Sequence, residues 1–232
     1  MTNTNTSINN TLFETVAIVR GRIVNLSYHN RRFVAGQLFL GCRHIIHDLQ
    51  PLIDAYLCNN PIKNTPSSTV RRGRITYANI NANTNNHDNA KRTDTVISVE
   101  CFDYTPKPIN RLKIIHHNNL DYRYKYSDRR VFARLLATAQ ASDAVDEIII
   151  INHGQVSDCT IGNLLFWQNG RWYTPSTPLL CGTQRQFLLE QGRIALTDIS
   201  VDELKNYEKL MMVNALNPFD ERRALPMTCV IA

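Results

Sequence analysis

The chain has 232 residues, 43% of them hydrophobic, with a net charge of +6 and a pI of about 9.1. That is enough length and apolar content for one large or two modest domains with a real core, and it excludes a disordered chain. No apolar run approaches the roughly 20 residues that span a bilayer. No finger, RNP or helix-turn-helix pattern accompanies the positive charge, so it reads as a basic surface that aids solubility and can steer anionic ligands, not nucleic acid.

The opening MTNTNTSINN has neither the charged nor the apolar region of a secretory leader and is expected to be a frayed tail. Residues 12–19, a tight turn at Gly21 and residues 23–26 predict a strand, turn and strand, followed by a helix beginning near Ser27. His44 and His47 are spaced to share one helix face. With no third ligand evident they imply no metal site. Residues 61–68 predict a polar loop, 71–77 a basic strand and 81–94 an Asn-rich insertion at a mobile hairpin tip. Arg74 in that strand can reach a substrate carboxylate, although a cross-strand partner is the simpler expectation.

Residues 96–102 and 112–115 predict further strands, joined through Pro106 and Pro108. The fold expected is α+β in two domains, a smaller one over residues 1–115 and a larger one over 116–232. The aromatic stretch from Asp121 to Arg129 then leads into a helix ending near Ala141. Six cysteines, at 42, 58, 101, 159, 181 and 229, lack CxxC spacing. A zinc site or dense disulfide framework is therefore not implied, and free thiols in a reducing cytoplasm are expected.

Residues 146–185 carry the chemistry. The β-branched run 147–151 predicts a buried strand, Asn152-His153-Gly154 a turn, and residues 155–158 a returning strand. Gln168-Asn169-Gly170 is a hairpin signal between two aromatic strands, and Gly182-Thr183 opens a helix that stops at Gly192. An acidic residue, Asp158, near a helix start can serve a cationic ring and a phosphate at once. Ser200 and Glu203 form a capping box for a helix expected to run to about Met211, with Leu204, Tyr207 and Met211 on its core face. Residues 212–216 predict a strand.

Several of these pieces together resemble the class IV aminotransferases, the fold-type IV enzymes of pyridoxal 5'-phosphate (D-amino-acid aminotransferase-like). They are Phe13-Glu14-Thr15, His29 with Arg32, the pattern from Asp158 to Asn163 and Phe166, Thr174-Pro175, Gly182 with Arg185, and Asn214-Ala215-Leu216 with Pro218. Within that family the chain is most similar to aminodeoxychorismate lyases, which convert 4-amino-4-deoxychorismate to 4-aminobenzoate and pyruvate in folate biosynthesis. Branched-chain or D-amino-acid transaminases and a degenerate, non-catalytic relative remain as alternatives.

The resemblance implies a homodimer and a Schiff-base lysine some thirty-odd residues before the acidic partner of the pyridine nitrogen. Lys125 lies 33 residues before Asp158 and Lys113 lies 45 before it, so Lys125 is the expected lysine. Lys125-Tyr126-Ser127-Asp128-Arg129 also fits the local lyase-like pattern. By the same resemblance Arg32 holds the cofactor phosphate, together with backbone N–H groups of Thr183 and Gln184, and Asn214-Ala215 adds a further backbone contact. Asp158 would face the ring nitrogen, where relatives usually have glutamate. Taken without the family, Arg32 and Lys125 are ordinary surface and strand cations.

Overall fold

The computed structural model describes residues 11–61, 69–79 and 95–232. The expected tail at 1–10, most of the 61–68 loop and the Asn-rich insertion lie outside the described residues.

The first sheet, in the order β2-β1-β3-β4, is antiparallel throughout: β1 is Thr11–Val19, β2 Arg22–Ile23, β3 Arg71–Asn79 and β4 Thr95–Asp103. Helices α1 (Leu26–Phe39) and α2 (Gln50–Asn59) cover one face. Alternation along the strands decides which side chains go there. Leu12, Val16 and Ile18 of β1 and Ile75 and Tyr77 of β3 are buried with Phe33 and Ile53 of the helices. Phe13, Thr15, Arg72 and Arg74 point to the opposite face. Gly36 lets α1 lie close on β3, since a Cβ there would run into the Tyr77 hydroxyl. His44 and His47 precede α2 rather than sitting on one helix face: Pro51 occupies the first turn, where its fixed φ and missing N–H are tolerated, and the helix starts there.

The second half of the chain forms four layers. One sheet has the order β13-β5-β6-β7, with β5 (Leu112–His116) and β6 (Glu147–Asn152) parallel, β7 (Gln155–Val156) antiparallel and β13 at Val230–Ile231. The other has the order β10-β9-β8-β11-β12, built from β8 (Asn163–Gln168), β9 (Arg171–Pro175), β10 (Ile194–Thr197), β11 (Lys209–Val213) and β12 (Leu225–Pro226). Ile149 and Ile151 of β6 pack toward Leu164, Phe166 and Met212 of the second sheet. Ile148 and Ile150 pack instead on Phe132 and Ala139 of α3 (Arg130–Ser142). All four isoleucines are fully buried, as the unbroken β-branched run predicts. Helix α4 (Thr183–Glu190) closes the far side, with Leu188 against Leu165, Trp172 and Met211.

The Asn169-Gly170 turn has positive φ at both residues, 49° and 78°, which matches a two-residue hairpin to the twist of β8 and β9. The Ser200 capping box forms, but the helix it starts is a six-residue 3-10 helix over Val201–Asn206, not a helix to Met211. Backbone pairing overrides the spacing at that point: Glu208 N–H donates to the Trp167 carbonyl and Lys209–Val213 joins β8 as a strand. The strand expected at 212–216 therefore begins earlier and ends at Val213. Leu204, Tyr207 and Met211 are buried as expected, but Met211 contacts the α4 side of its sheet while Leu204 and Tyr207 lie between the sheets. Among the described residues no helix is long and apolar enough to cross a membrane.

Ile149 has hydrophobic neighbours on both strands and both sheets, with little room for collapse around a smaller side chain. Ile149→Ala is expected to cost about 3 kcal/mol and to lower the midpoint of thermal unfolding by on the order of 10 °C, measured by circular dichroism.

Candidate active site

A cavity of about 270 Å³ lies between the open face of the first sheet and the α3, β8 and α4 side of the second half. Lys125 lines it, in the segment between β5 and α3. That segment is held to β1 by backbone: Phe13 N–H donates to the Lys125 carbonyl at 3.0 Å and Ser127 N–H to the Thr11 carbonyl at 2.9 Å. The Lys125 Nζ stands 4.7 Å from the centre of the Phe13 ring. Burial, reinforced by the positive charges of Arg32, Arg129 and Arg74, pushes its pKa down to about 7, with Glu14 opposing. Lys113 sits elsewhere: its ammonium contacts Asp143 at 2.5 Å and Ser142 at 2.8 Å, and it does not line the cavity.

Arg32 reaches the cavity from α1, and its orientation is set by a carboxylate that the sequence analysis assigned no role. Glu14 accepts from Arg32 Nε and Nη2, both at 2.7 Å, and from His29 Nδ1 at 2.8 Å. Glu14 is fully buried on the face of β1 that otherwise carries Leu12 and Val16. Burial alone would raise its pKa. The Arg32 charge and hydrogen bonds, with those of His29, overcome that and hold it down at about 2. The signal was present in the sequence: an acid at an inward position of an apolar strand, followed by His29 and Arg32 one helical turn apart.

His29 is buried and its pKa is lowered by that burial, so at neutral pH the ring is uncharged. The hydrogen-bond network then puts its proton on Nδ1, toward Glu14, leaving Nε2 to accept from the Thr183 hydroxyl at 3.3 Å. Thr183 is the first residue of α4 and lines the cavity. The first helical hydrogen bond runs from Gln186 N–H to the Gly182 carbonyl, so the N–H groups of Thr183 and Gln184 precede the ladder and are available to an anion. Gln184 itself does not line the cavity, and its side chain accepts from Asn25 of the loop before α1. Arg185 is buried beneath, bonded to the Pro175 carbonyl at 2.8 Å, and fastens α4 to β9.

Asp158 forms the opposite wall. Its Oδ1 accepts from Asn163 Nδ2 at 2.7 Å and its Oδ2 from Leu180 N–H at 2.9 Å. Burial raises its pKa to about 6, against the pull of those donors and of Arg185. Gly182 lies so close that a Cβ there would strike the Asn163 side chain, so the α4 start and the Asp158 loop are brought together only by a glycine. Asn214 shapes the next wall: its Oδ1 accepts from the N–H groups of Leu216 and Asn217, making a tight turn that presents Ala215 to the cavity.

Two further cations that the sequence reading did not assign also line the cavity. Arg129 donates to the Tyr122 hydroxyl at 2.8 Å and to the Thr160 carbonyl, and stacks on Phe132. Arg72 lies over the Phe102 ring at 5.0 Å. Arg74 sits at 4.0 Å over the ring of Phe13, its diagonal neighbour on β1, so the expected cross-strand partner is an aromatic face. The lining thus carries five cationic side chains against one carboxylate. The donor set suits an anionic ligand with a phosphate at the α4 start, an aldehyde at Lys125 and a basic ring nitrogen near Asp158. Among the described residues no cluster could hold a metal ion.

Residues 11–219 match the family model for amino-transferase class IV. A Haemophilus influenzae protein described as uncharacterized is 35% identical over 208 residues, covering 89% of this chain and 97% of that protein. A crystal structure from Haemophilus somnus, named a "putative 4-amino-4-deoxychorismate lyase", is 34% identical with a TM-score of 0.72 and covers 90% of this chain and 97% of its own. An aminotransferase from Brucella abortus, bound to PLP, shares the fold at 16% identity and a TM-score of 0.71, over 95% of this chain and 81% of that one.

The low pKa of Lys125 can be read in the free protein by reductive methylation with ¹³C-formaldehyde and NMR titration. Its signal is expected to titrate near 7 in the wild type. In Arg74→Met the midpoint moves to higher pH, because a neighbouring positive charge is gone. A wild-type midpoint near that of a free lysine, about 10.4, would contradict this electrostatic account.

Proposed function

The chain belongs to the class IV aminotransferase family, and from that premise we propose that it is a pyridoxal 5'-phosphate enzyme acting as an aminodeoxychorismate lyase. The observation that carries the proposal is Lys125, enclosed in a cationic cavity with a pKa near neutrality. The similarity to the Haemophilus somnus protein over nearly its whole length supports the lyase among the family's activities. In this reading Arg32 and the N–H groups of Thr183 and Gln184 hold the phosphate, the Asn214-Ala215 turn adds a contact, and Asp158 faces the ring nitrogen. We further propose a two-domain homodimer, divided between residues 115 and 116, working in the cytoplasm.

When bound, the cofactor supplies an electron-withdrawing ring that stabilises negative charge at the substrate carbon bearing the amine. The chain's residues do the rest. Lys125 would hold the cofactor through its amine and, once that amine is free, would take the proton from that carbon. Only the neutral amine can do either, and a pKa lowered to about 7 makes that form accessible near neutral pH. The sign is fixed by this requirement: as pH falls through about 7, Lys125 gains a proton and the rate falls. Asp158, ionised above about 6, favours a protonated ring nitrogen. Its side chain is one methylene shorter than the glutamate of relatives, and the Leu180 N–H and Asn163 amide hold it against the wall.

In the lyase, loss of the proton is followed by expulsion of enolpyruvate, giving 4-aminobenzoate and pyruvate as the ring becomes aromatic. A transaminase would take the same proton but pass the amino group on and release a keto acid. Arg72, Arg74 and Arg129 leave the cavity short of negative charge, which suits a substrate carrying two carboxylates.

Incubated with 4-amino-4-deoxychorismate and pyridoxal phosphate, the protein is expected to release equal amounts of 4-aminobenzoate and pyruvate, followed by fluorescence and a coupled dehydrogenase assay. Lys125→Ala should lower turnover by at least about 10³-fold, the scale of losing a catalytic base. Keto-acid formation from branched-chain or D-amino acids without 4-aminobenzoate would select the transaminase reading. Neither product would favour a non-catalytic relative.

A further inference from the structure

We propose that Glu14 is a positioning residue for the anion-binding wall: it holds the Arg32 guanidinium and, through His29, the Thr183 hydroxyl, so that both halves of the wall keep one spacing for a phosphate monoester. The proposal rests on the reading that the cavity takes a phosphorylated cofactor.

Glu14 occupies an inward position of β1 between Leu12 and Val16, where an apolar side chain would serve packing better. A buried carboxylate there is costly unless every oxygen is engaged, and both are. The bidentate contact uses Nε and Nη2 of Arg32, which fixes the guanidinium plane and leaves Nη1 for a ligand. The second oxygen also takes His29 Nδ1, and the far ring nitrogen of His29 meets Thr183 at the first turn of α4. One carboxylate on β1 therefore sets two groups that reach the cavity from different helices, Arg32 from α1 and Thr183 from α4.

Three more contacts keep α1 and α4 in fixed relation around that network. Asn25 donates to Gln184 at 3.1 Å, and both Tyr28 and Arg31 donate to Glu190, at 2.7 and 3.0 Å. These are exposed or half-buried, whereas the Glu14–His29–Thr183 chain is buried. It is the part that sets geometry next to the cavity.

Charge and geometry make opposite forecasts for Glu14. As a negative charge beside Arg32 it should weaken phosphate binding by simple Coulomb repulsion, and its neutralisation should tighten binding. As a positioning residue its neutralisation should loosen binding, because the guanidinium loses its bidentate partner. The two roles therefore separate cleanly in Glu14→Gln.

The experiment compares pyridoxal phosphate with pyridoxal, which lacks the phosphate, on wild type, Glu14→Gln and His29→Gln, reading the absorbance of the lysine adduct in equilibrium titrations. Inorganic phosphate serves as competitor. Glu14→Gln is expected to lower the ratio of pyridoxal phosphate to pyridoxal affinity about tenfold, the usual scale for losing a charge-assisted bond, since the loss of Glu14's influence on the Lys125 amine falls on both ligands alike. His29→Gln, which leaves the Arg32 pair intact, should lower the same ratio by about threefold and carries the test if Glu14→Gln does not fold. An unchanged or increased ratio in the folded variants would overturn the positioning role. A wild type that binds pyridoxal phosphate no better than pyridoxal would overturn the cofactor reading, and this proposal with it.

Discussion

An amine can act as a base at neutral pH only where its charged form has been made unfavourable, and the surroundings of Lys125 impose that condition. Burial supplies most of the penalty, and Arg32, Arg129 and Arg74 add to it. Such a concentration of cations would repel itself apart unless each were held by something else. Arg32 is held by Glu14, Arg129 by the Tyr122 hydroxyl, the Thr160 carbonyl and the Phe132 ring, and Arg74 by the Phe13 ring. The aromatic contacts do this without adding negative charge that would raise the lysine's pKa again.

The fold brings these groups together from separated stretches of chain. β1 contributes Phe13 on one face and Glu14 on the other, and its backbone pairs with the segment that carries Lys125. The four-layer second half provides the rigid support: β6, buried on both faces, seats α3 on one side and the second sheet on the other. The Asp158 loop follows directly from β7, and glycine at 182 lets the start of α4 close against it. The site lies where the first sheet meets this support, so its geometry depends on contacts such as those of α1 with α4 as much as on either part alone.

Much of this was legible in the sequence where local chemistry is decisive. The run from Ile148 to Ile151 has no polar interruption and can only be a strand buried on both faces, and Asn169-Gly170 admits the positive φ values that a two-residue hairpin needs. Local signals failed where tertiary pairing decided the outcome. The capping box at Ser200 is real, yet β8 had an unpaired edge and captured the chain from Lys209, ending the helix at Asn206. The choice of Lys125 over Lys113 rested on spacing to Asp158 by resemblance. Only the structure supplies a physical reason, since Lys113 is paired with Asp143 while Lys125 faces the cavity. Glu14 was visible as an anomaly in an apolar strand, but its partners lie 15 and 18 residues away and become evident only when α1 folds back on β1.

The most direct test of Lys125 as the cofactor-bearing residue is mass spectrometry of protein incubated with pyridoxal phosphate, reduced with borohydride and digested. The account predicts a pyridoxyl group on the peptide containing Lys125. No adduct, or one confined to the peptide containing Lys113, would contradict it.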